Sequence, residues 1–381
     1  MENLNSCCFI ATIYEIKEIP GADKIVQATI EGWSSIVQKG MYKQGDFVMV
    51  ATTDAVIPEK LAEDMNVTGY LRKGSRVRTV KLRGVYSECL IIPLTFAKGI
   101  TPSEGKDMMD IMGIFKYEPP VKQIQLASGK KIRYQENPNF LVYYKFPNAK
   151  NVKGIFVETD PVQITRKIHG TNARYGIVLK NKLSFKDRMK KWLWKTIKHA
   201  PDQWEWIDYE FVVGSHNVEK GSDSQGFYST NVWYEIADKY KIKEKLWEHV
   251  KRYGVGELKS GIVLYGEIYG SGIQVNYDYG LKGIEFAAFD IMEDGTYLGT
   301  ADAETVISSM LRLPHVPVLY DGYWSQEIQD KFVLNNFIEG TKVPHEGVVI
   351  KHSSGERSKI VKVINPDYLI YGEKHDVGDS H

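Results

Sequence analysis

Residues 165–172 read TRKIHGTN and place one lysine, Lys167, between the alternating stretch DPVQI and a turn of small residues. The sequence that follows, ARYGIVL, alternates again and predicts a second strand, so the turn joins two strands. A lysine fixed at the end of a strand has its amine aimed in one direction. Such an amine attacks an electrophile when it is neutral, which makes Lys167 a candidate nucleophile. The motif alone does not exclude an ordinary structural lysine.

Length and composition predict a folded protein of more than one domain. The chain has 381 residues, which is longer than one ordinary domain, so two domains are expected. Its 25% charged and 43% hydrophobic residues are typical of a globular protein. The net charge of +1 argues against bulk electrostatic capture of nucleic acid but is compatible with a local basic groove.

The cysteines and the first residues indicate the cellular setting. Cys7, Cys8 and Cys89 have a spacing that supports neither a disulfide framework nor a structural zinc site. We therefore expect a reducing, cytoplasmic setting. The first residues, MENLNSCCFIATIYEI, lack the pattern of a signal peptide, and no stretch of about 18 apolar residues predicts a membrane span.

Residues 1–115 show short alternating stretches separated by glycine, aspartate and proline, which is typical of a small barrel or sandwich. The stretch SRVRTVKLRG, residues 75–84, predicts a basic strand with Arg76 and Arg78 on one face and Lys81 and Arg83 just beyond. Two interpretations stay open for it: a solvated edge strand, or the nucleic-acid-facing surface of an OB-type barrel. Residues 116–135, with paired prolines and a Ser-Gly step, predict a linker.

A basic segment, LSFKDRMKKWLWKTIKHA, predicts a helix in the second half of the chain. Positions 185, 189, 192 and 196 (Phe, Met, Trp and Thr) recur at helical spacing among six lysines and arginines. Ser184 and Asp187 resemble a capping box. An ordinary surface helix is the main interpretation and a phosphate-tracking helix the alternative. The narrow apolar stripe disfavours membrane binding.

Carboxylates and lysines recur beside apolar stretches in the second half. They are Glu267 in GIVLYGEIYG, Asp290 at the end of IEFAAFD, Glu346 before GVVIK, Lys351 at the end of that stretch, and Lys359 and Lys362 in SKIVKVI. A buried carboxylate is costly unless it is paired or binds a metal. Nucleoside triphosphate chemistry requires acids that bind a divalent cation, lysines that neutralise phosphates and an aromatic face for the base.

The ordered set K-x-H-G-T-N, Y-G-E, F-x-x-F-D-I, E-G-V-V-I-K and K-x-x-K-V resembles motifs I, III, IIIa, IV and V of the covalent nucleotidyltransferases. That superfamily contains the ATP-dependent DNA and RNA ligases and the mRNA capping enzymes. The Lys-x-His-Gly form of motif I is similar to the RNA ligase branch. IPGADKI, KGMYKQGDFVMV, IPEKL and RVRTVKLRG resemble the OB domain that precedes the catalytic domain in RNA ligase family 5. FVVGSHNV and GEIYGSGIQVNYDYG are similar to the same branch, so the resemblance spans nearly the whole chain.

The resemblance implies an α+β protein: an N-terminal OB-type β-barrel followed by a nucleotidyltransferase (ATP-grasp-like) domain of antiparallel sheets flanked by helices. We expect the OB-like, nucleic-acid-binding domain at 1–115, the linker at 116–135, the adenylyltransferase domain at 136–372 and a tail at 373–381. The sequence given ends soon after motif V, without the C-terminal domain that DNA ligases and capping enzymes carry. Substrate binding is therefore expected from the first domain and the catalytic face.

The resemblance also implies an ATP-dependent RNA ligase that seals 3′-hydroxyl and 5′-phosphate ends. Lys167 would attack the α-phosphate of ATP, release pyrophosphate and form lysyl-AMP. AMP would then pass to an RNA 5′-phosphate, and a 3′-hydroxyl would displace it from the RNA-adenylate (AppRNA). The expected cofactors are ATP and Mg²⁺ or Mn²⁺. The expected partner is RNA at a nick in a duplex, bound by a monomer without membrane association.

Roles for other residues are implied motif by motif. Glu267 would contact the ribose or the metal, Glu346 would help to bind the metal, and Asp290 matches the motif IIIa aspartate as a third metal ligand. Phe289 would stack on adenine, and Lys362 would contact the α-phosphate. The other expected ATP-binding residues are Thr165, His169, Gly170, Asn172, Lys351 and Lys359, and the expected nucleic-acid-binding residues are Arg76, Arg78, Lys81, Arg83 and His216.

The chain departs from the family pattern at two positions. His216 stands in VGSHN where motif Ia usually has an arginine, and a histidine is shorter and not always charged. Ile364 stands two residues after Lys362, where several RNA ligases have a second motif V lysine, so that role is vacant or passes to Lys359.

Other functions stay open as alternatives to an RNA ligase. Within enzymes they are a nick ligase that acts equally on DNA, and a related nucleotidyltransferase that prefers another nucleotide. From a different class comes a non-catalytic RNA-binding protein with a lapsed ligase domain. The intact set Lys167, Glu267 and Glu346 argues against that last alternative.

Overall fold

The structure is a computed structural model of the 381-residue chain, and it describes residues 6–72, 75–117, 137–152, 154–197, 206–221, 231–254, 257–375 and 377. From residue 118 onward the predicted linker lies outside the described residues. Among the described residues no helix is both long enough and apolar enough to cross a membrane.

The first domain is built from short antiparallel strands. They are β1 (Cys8–Thr12), β2 (Glu15–Glu18), β3 (Ile25–Ile30), β4 (Trp33–Gln38), β5 (Phe47–Thr52), β6 (Ala55–Val56), β7 (Val80–Leu82), β8 (Val85–Ser87), β9 (Cys89–Ile92) and β10 (Phe115–Lys116), with helices α1 (Glu59–Asp64) and α2 (Met109–Met112). One sheet has the order β1-β5-β9 and a second has the order β2-β3-β4, while β7 pairs with β8 and β6 with β10. Strands β1 and β5 are buried on both faces, because alternate residues enter two apolar clusters. The predicted all-β first domain is thus present.

The basic strand predicted over residues 75–84 is shorter than expected. Only Val80–Leu82 pairs as a strand, whereas Arg76 makes isolated bridges to Val56 and Arg72. The Arg76 side chain binds Asp54, with Nε 2.9 Å from Oδ1. Arg83 has a φ of 52° in the turn between β7 and β8. This segment is therefore held by side-chain ion pairs more than by a ladder of backbone hydrogen bonds.

The second domain contains two antiparallel sheets. Its strands are β11 (Pro161–Lys167), β12 (Thr171–Leu179), β13 (Tyr209–Gly214), β14 (Glu219–Lys220), β15 (Gly261–Gly270), β16 (Ile284–Glu293), β17 (Thr296–Tyr297), β18 (Val318–Tyr323), β19 (Gly347–His352) and β20 (Ile360–Ile364). Its helices are α3 (Phe185–Thr196), α4 (Val232–Tyr240), α5 (Ile242–Tyr253), α6 (Thr300–Thr305), α7 (Gln326–Val333) and α8 (Pro366–His375). The larger sheet has the order β14-β13-β12-β15-β16-β17 and the smaller one β18-β11-β19-β20.

Each sheet of the second domain buries one face under helices. Helices α4, α5 and α6 cover the larger sheet with an apolar cluster that includes Trp233, Leu246 and Phe286. Residues from α7 pack on the smaller sheet around Ile164 and Val348. The other faces of the two sheets approach each other, since Lys351 of the smaller sheet binds Asp290 of the larger sheet. We call the region between these two faces the cleft.

Helix α3 forms over the predicted basic segment. Ser184 accepts a hydrogen bond from the Asp187 backbone N–H, and the Asp187 carboxylate accepts one from the Ser184 backbone N–H. The expected capping box is therefore confirmed, although aspartate replaces the usual glutamate or glutamine.

Strands β15 and β16 contain a bulge beside the cleft. Tyr265 pairs with Asp290 and Gly266 pairs with Ala288, which leaves Phe289 as the extra residue. A bulge redirects the side chain of the extra residue. It gives Phe289 its position at the cleft, where it contacts the Tyr143 ring at a centroid distance of 4.9 Å.

The two domains are in direct contact through charged residues. Lys150 of the second domain binds Glu88 of the first and lies over the Trp33 ring. In addition, two basic residues from the predicted basic strand bind helix α8. Arg78 contacts Glu373 at 3.0 Å and Lys81 contacts Asp367 at 3.3 Å.

Gly266 provides a test of how closely strands β15 and β16 pack against each other. A Cβ at this position would meet the Phe286 ring and lie 2.7 Å from the Ala287 carbonyl oxygen. Replacing Gly266 with alanine should lower the free energy of unfolding by about 1–3 kcal/mol, because the strand pair cannot separate without breaking its ladder. Gly283→Ala is the matched control, since nothing lies within 4 Å of its added methyl group. Equal urea midpoints for the two variants would contradict the packing described.

Candidate functional site

Lys167 is the last residue of β11, a central strand of the smaller sheet. It pairs with Gly347, so the residue before β19, Glu346, comes directly beside it. The Lys167 Nζ lies 2.7 Å from Glu346 Oε1, and the two side chains are only 23% and 9% exposed. An ion pair this shielded fixes the position of the amine more firmly than a surface pair would.

A second carboxylate, Glu267, lies beside this ion pair. Burial raises the pKa of the Glu267 carboxyl to about 8, Lys167 opposes that rise, and the neighbouring Glu346 carboxylate adds to it. The Oε2 atom of Glu346 is buried and has no hydrogen-bond partner among the described residues. Two close carboxylates, one of them with an unsatisfied oxygen, have the character of a divalent-cation site.

The turn after Lys167 brings the two sheets together. A Cβ on Gly170 would meet the Ile268 carbonyl oxygen and lie 2.9 Å from Glu267 Cγ. Only glycine fits there, and its immediate neighbour is the strand that carries Glu267. Asn172 pairs with Glu267 in the ladder between β12 and β15, and its Oδ1 is buried without a hydrogen-bond partner among the described residues.

Two more of the expected ATP-binding residues lie on the cleft face of the smaller sheet. Thr165 is buried two residues before Lys167 on the same side of β11. Lys362 lies on β20, and its pKa is lowered by burial and by the nearby Lys167, with Glu346 partly opposing both. Asp54 of the first domain and Lys116, which directly follows that domain, are close enough to Lys362 to act on its charge.

His169 is held by a group of tyrosines that sequence reasoning missed. Its side chain is 1% exposed, and the Tyr368 hydroxyl lies 3.0 Å from its Nδ1 and 3.2 Å from its Nε2. The His169 backbone N–H donates to the Tyr279 hydroxyl at 2.6 Å. The Tyr277 ring contacts the imidazole edge-on at 5.0 Å. The only signal in the sequence was the repeated tyrosine of NYDYG, which has no recognisable spacing relative to the nucleophile.

Asp290 does not join the carboxylate pair. Its carboxylate accepts hydrogen bonds from Lys351 at 3.1 Å, Arg357 at 2.7 Å and the Tyr143 hydroxyl at 2.8 Å. Burial alone would raise the pKa of Asp290, but Lys351 and Arg357 hold it below its usual range. Asp290 and Lys351, expected at the metal and at ATP respectively, thus bind each other across the two sheets. Arg357, which sequence reasoning also missed, completes this cluster.

Phe289 lies between Tyr143 of the Asp290 cluster and Ile168, the residue after Lys167. It packs against Tyr143 on one side and against the apolar group of Ile168, Ala287 and Val316 on the other. Ile168 directly follows Lys167. The ring is only partly buried, so an aromatic face borders the cleft next to the nucleophile.

Lys359 lies at the other end of the smaller sheet. Its Nζ is 3.1 Å from Asp160 Oδ2, and Asp160 directly precedes β11, whereas Lys167 ends that strand. Seven residues of strand span on the order of 20 Å. The structure does not bring Lys359 close to Lys167, so it is not placed to replace the second motif V lysine.

His216 follows β13 and is half-buried. Burial lowers the pKa of its imidazole, and the positive charges of Lys145 and Arg174 lower it further. It is therefore neutral at pH 7 and does not supply the charge of the arginine it replaces. Arg174, 1% exposed and stacked 4.3 Å over the Phe140 ring, lies beside it and was missed in the sequence.

The basic residues of the first domain are mostly engaged with protein carboxylates. Arg76 binds Asp54, Arg78 binds Glu373, and Lys81 binds Asp367. Arg83 is exposed and forms no ion pair within the part of the chain that the structure describes.

A divalent cation fits the carboxylate pair. Glu267 and Glu346 would hold it, since small divalent ions are commonly bound by one or two carboxylates together with substrate phosphates. Across the described ranges, no three histidine, cysteine or acidic residues cluster as a metal site of their own. The phosphates of a bound nucleotide would therefore complete the coordination.

Comparisons with known proteins agree with this architecture. A family model described as RNA ligase matches residues 160–364, and an OB-fold domain model matches residues 8–94. No curated protein matches the chain. A solved structure of Naegleria gruberi RNA ligase with PPi is 23% identical, with a TM-score of 0.68 and coverage of 98% of this chain and 99% of that chain.

Mutants of the same Naegleria gruberi enzyme are similar to an equal degree. One with ATP and Mn is 23% identical, with a TM-score of 0.67 and coverage of 97% of this chain and 99% of that chain. Another, with AMP and Mn, is 23% identical, with a TM-score of 0.66 and coverage of 98% and 99%. The expected α+β fold, an OB-type domain followed by antiparallel sheets flanked by helices, is confirmed. Because the RNA ligase model matches more than half of the sequence, the chain belongs to the RNA ligase family.

Proposed function

We propose that this enzyme is an ATP-dependent RNA ligase that seals 3′-hydroxyl and 5′-phosphate ends, with nicks in duplex RNA as its substrate. The observation that carries the proposal is the buried group formed by Lys167, Glu346 and Glu267. It presents one amine and two carboxylates at a single point of the cleft. The similar structures that contain ATP and Mn support the choice of nucleotide and metal.

The first step follows from the contact between Lys167 and Glu346. The amine loses a proton, for which the Glu346 carboxylate at 2.7 Å is the nearest acceptor. The nitrogen then attacks the α-phosphorus of ATP, a P–N bond forms, and the bond from that phosphorus to the pyrophosphate oxygen breaks. The RNA 5′-phosphate then takes AMP from the lysine, and the 3′-hydroxyl displaces AMP from the resulting AppRNA.

Other residues of the cleft bind and orient the nucleotide. Lys362 neutralises charge on the α-phosphate, and Phe289 offers its face to adenine. Thr165 and Asn172 supply hydrogen-bonding groups beside the nucleophile, and Gly170 lets Glu267 approach it. A bound divalent cation supplies charge stabilisation to the phosphates. We leave Asp290 out of the metal site, because its oxygens already bind Lys351, Arg357 and Tyr143.

The first domain completes the proposed enzyme. Its match to an OB-fold and the closeness of its Asp54 to Lys362 support a role in holding RNA near that lysine. We propose the boundaries 1–115 for this domain and 136–372 for the adenylyltransferase domain, and action as a monomer. The free, buried cysteines Cys7, Cys8 and Cys89 support an intracellular setting.

Nick sealing tests the proposal directly. Wild-type protein with ATP and Mg²⁺ or Mn²⁺ should join a nicked RNA duplex that carries 3′-hydroxyl and 5′-phosphate ends, and Lys167→Ala should not. The variant should still join the same nick when the 5′ end is already adenylated, because that step does not need the amine. Sealing by Lys167→Ala from a plain 5′-phosphate would contradict the nucleophile assignment. Equal sealing of an all-DNA nick would favour a ligase that acts on both DNA and RNA nicks. RNA binding without formation of any adenylate would favour a non-catalytic RNA-binding protein.

Lys362 and Lys359 are a matched pair for testing which lysine neutralises charge on the α-phosphate of ATP. Lys362→Gln should slow self-adenylylation about 100-fold, a typical loss when one charge-stabilising donor is removed. Lys359→Gln removes the same charge at the far end of the sheet and should change the rate less than about threefold, since its partner Asp160 lies at the opposite end of β11 from Lys167. The measurement is the single-turnover rate of label transfer from ATP. Equal losses in the two variants would contradict the placement of Lys359 away from ATP.

Tyr368 offers a test of how His169 is positioned. Tyr368→Phe removes the hydroxyl that contacts the imidazole and should slow self-adenylylation about tenfold, because a lost buried hydrogen bond is worth about 1–3 kcal/mol. Tyr371→Phe, on the same helix, is the control: its ring stacks on His375 and packs against Tyr277, and its hydroxyl forms no hydrogen bond within the described residues. If the two variants adenylylate at the same rate, Tyr368 does not position His169 for the reaction.

A further inference from the structure

Helix α3 exposes an apolar stripe on the side that faces away from the protein. Phe185, Met189 and Trp192 are 79%, 48% and 65% exposed. At 3.6 residues per turn these three side chains share one face, whereas Lys191 and Trp194 lie on the opposite face and are partly buried. Helices of soluble domains normally turn their apolar stripe toward the core. An outward stripe therefore indicates a partner.

Basic residues border this stripe on both sides. Lys186 lies on one side, with the exposed Lys190 further round the helix, and Arg188 and Lys195 lie on the other; Asp187 is the only carboxylate on the helix. Asp187 already binds the helix cap and Lys180. Because the whole chain has a net charge of only +1, this concentration of positive charge is local. Local positive charge of this density attracts a polyanion.

Two ion pairs fix α3 to the end of the larger sheet. Lys180 contacts Asp187 at 3.2 Å, and Lys191 binds Asp208. Lys186, Lys190 and Lys195 form no ion pair within the described ranges, so their charges are available. The helix is thus held in place while its charged border stays accessible.

The length of strand β12 gives the approximate distance between Lys167 and helix α3. Strand β12 has nine residues, begins four residues after Lys167, and ends shortly before the helix. Nine residues of strand span on the order of 30 Å. In an A-form RNA duplex that length corresponds to roughly ten base pairs.

We propose that α3 binds the sugar–phosphate backbone of one duplex arm of the RNA, roughly ten base pairs from the nick. This inference rests on the proposed function, since it assigns a contact to the same substrate. The lysines and Arg188 contact phosphates, and the Phe185 and Trp192 rings pack on riboses or on an unpaired base. RNA fits better than an anionic membrane, because an interfacial helix needs a wider apolar face than three side chains.

Neutral variants and two arm lengths test the inference. The variant Lys186→Gln, Lys190→Gln, Lys195→Gln removes three charges from α3. Its control, Lys243→Gln, Lys251→Gln, Arg252→Gln, removes three charges from the exposed side of α5. Binding to nicked RNA duplexes with arms of about six or about twenty base pairs is measured by fluorescence anisotropy over a range of salt concentrations.

The α3 variant should bind the long-arm duplex about tenfold more weakly, and its log affinity should depend on log salt with a slope smaller by about 2–3. It should bind the short-arm duplex like the wild type, and the α5 control should match the wild type on both. A second variant, Phe185→Ser with Trp192→Ser, should weaken long-arm binding without changing the salt slope. Self-adenylylation should be unchanged in all of them.

Three results would overturn the inference. The first is unchanged long-arm binding by the α3 variant, and the second is an equal loss with both arm lengths. The third is unchanged RNA binding together with lost binding to phosphatidylserine vesicles, which would assign the helix to membranes. Failure of the proposed function would show separately, as a wild-type protein that forms no adenylate and seals no nick.

Discussion

The ion pair between Lys167 and Glu346 depends on the register of two neighbouring strands. Because Lys167 pairs with Gly347, the amine and the carboxylate meet at the same end of the smaller sheet. A shift of one residue would move Lys167 to the opposite face of that sheet. The cleft around the pair follows from the same register, since Thr165 and Lys362 occupy the same face and the Gly170 turn brings Glu267 across from the other sheet.

The contacts of helix α8 link the first domain to this pair. One side of α8 binds Arg78 and Lys81 through Glu373 and Asp367, while its Tyr368 contacts His169 near the nucleophile. Two of the residues expected to bind RNA therefore stabilise the contact between the domains. Helix α3 carries five lysines and arginines, and we propose that it supplies positive charge for RNA instead.

Local patterns in the sequence predicted several of the strands and the capped helix α3, because each of these depends on neighbours in the chain. Asp290, Lys351 and Lys359 occupy positions in motifs IIIa, IV and V of the sequence. In the structure, however, Asp290 and Lys351 bind each other, and Lys359 binds Asp160. Which carboxylate meets which lysine depends on how the two sheets face each other, and no local pattern encodes that. Tyr368 and Arg174 were missed for the same reason, since their partners lie 199 and 41 residues away. The basic segment 75–84 was predicted as a longer strand because its alternation resembles one, whereas its arginines bind distant carboxylates.

The central claim is that Lys167 is the residue that carries AMP. We would incubate the protein with ATP and Mn²⁺, digest it at neutral to basic pH to preserve the P–N bond, and locate the adduct by peptide mass spectrometry. We expect AMP on the peptide that contains Lys167 and on no other, with no adduct in Lys167→Ala. An adduct on Lys362 or Lys351, or one that persists in Lys167→Ala, would contradict that claim.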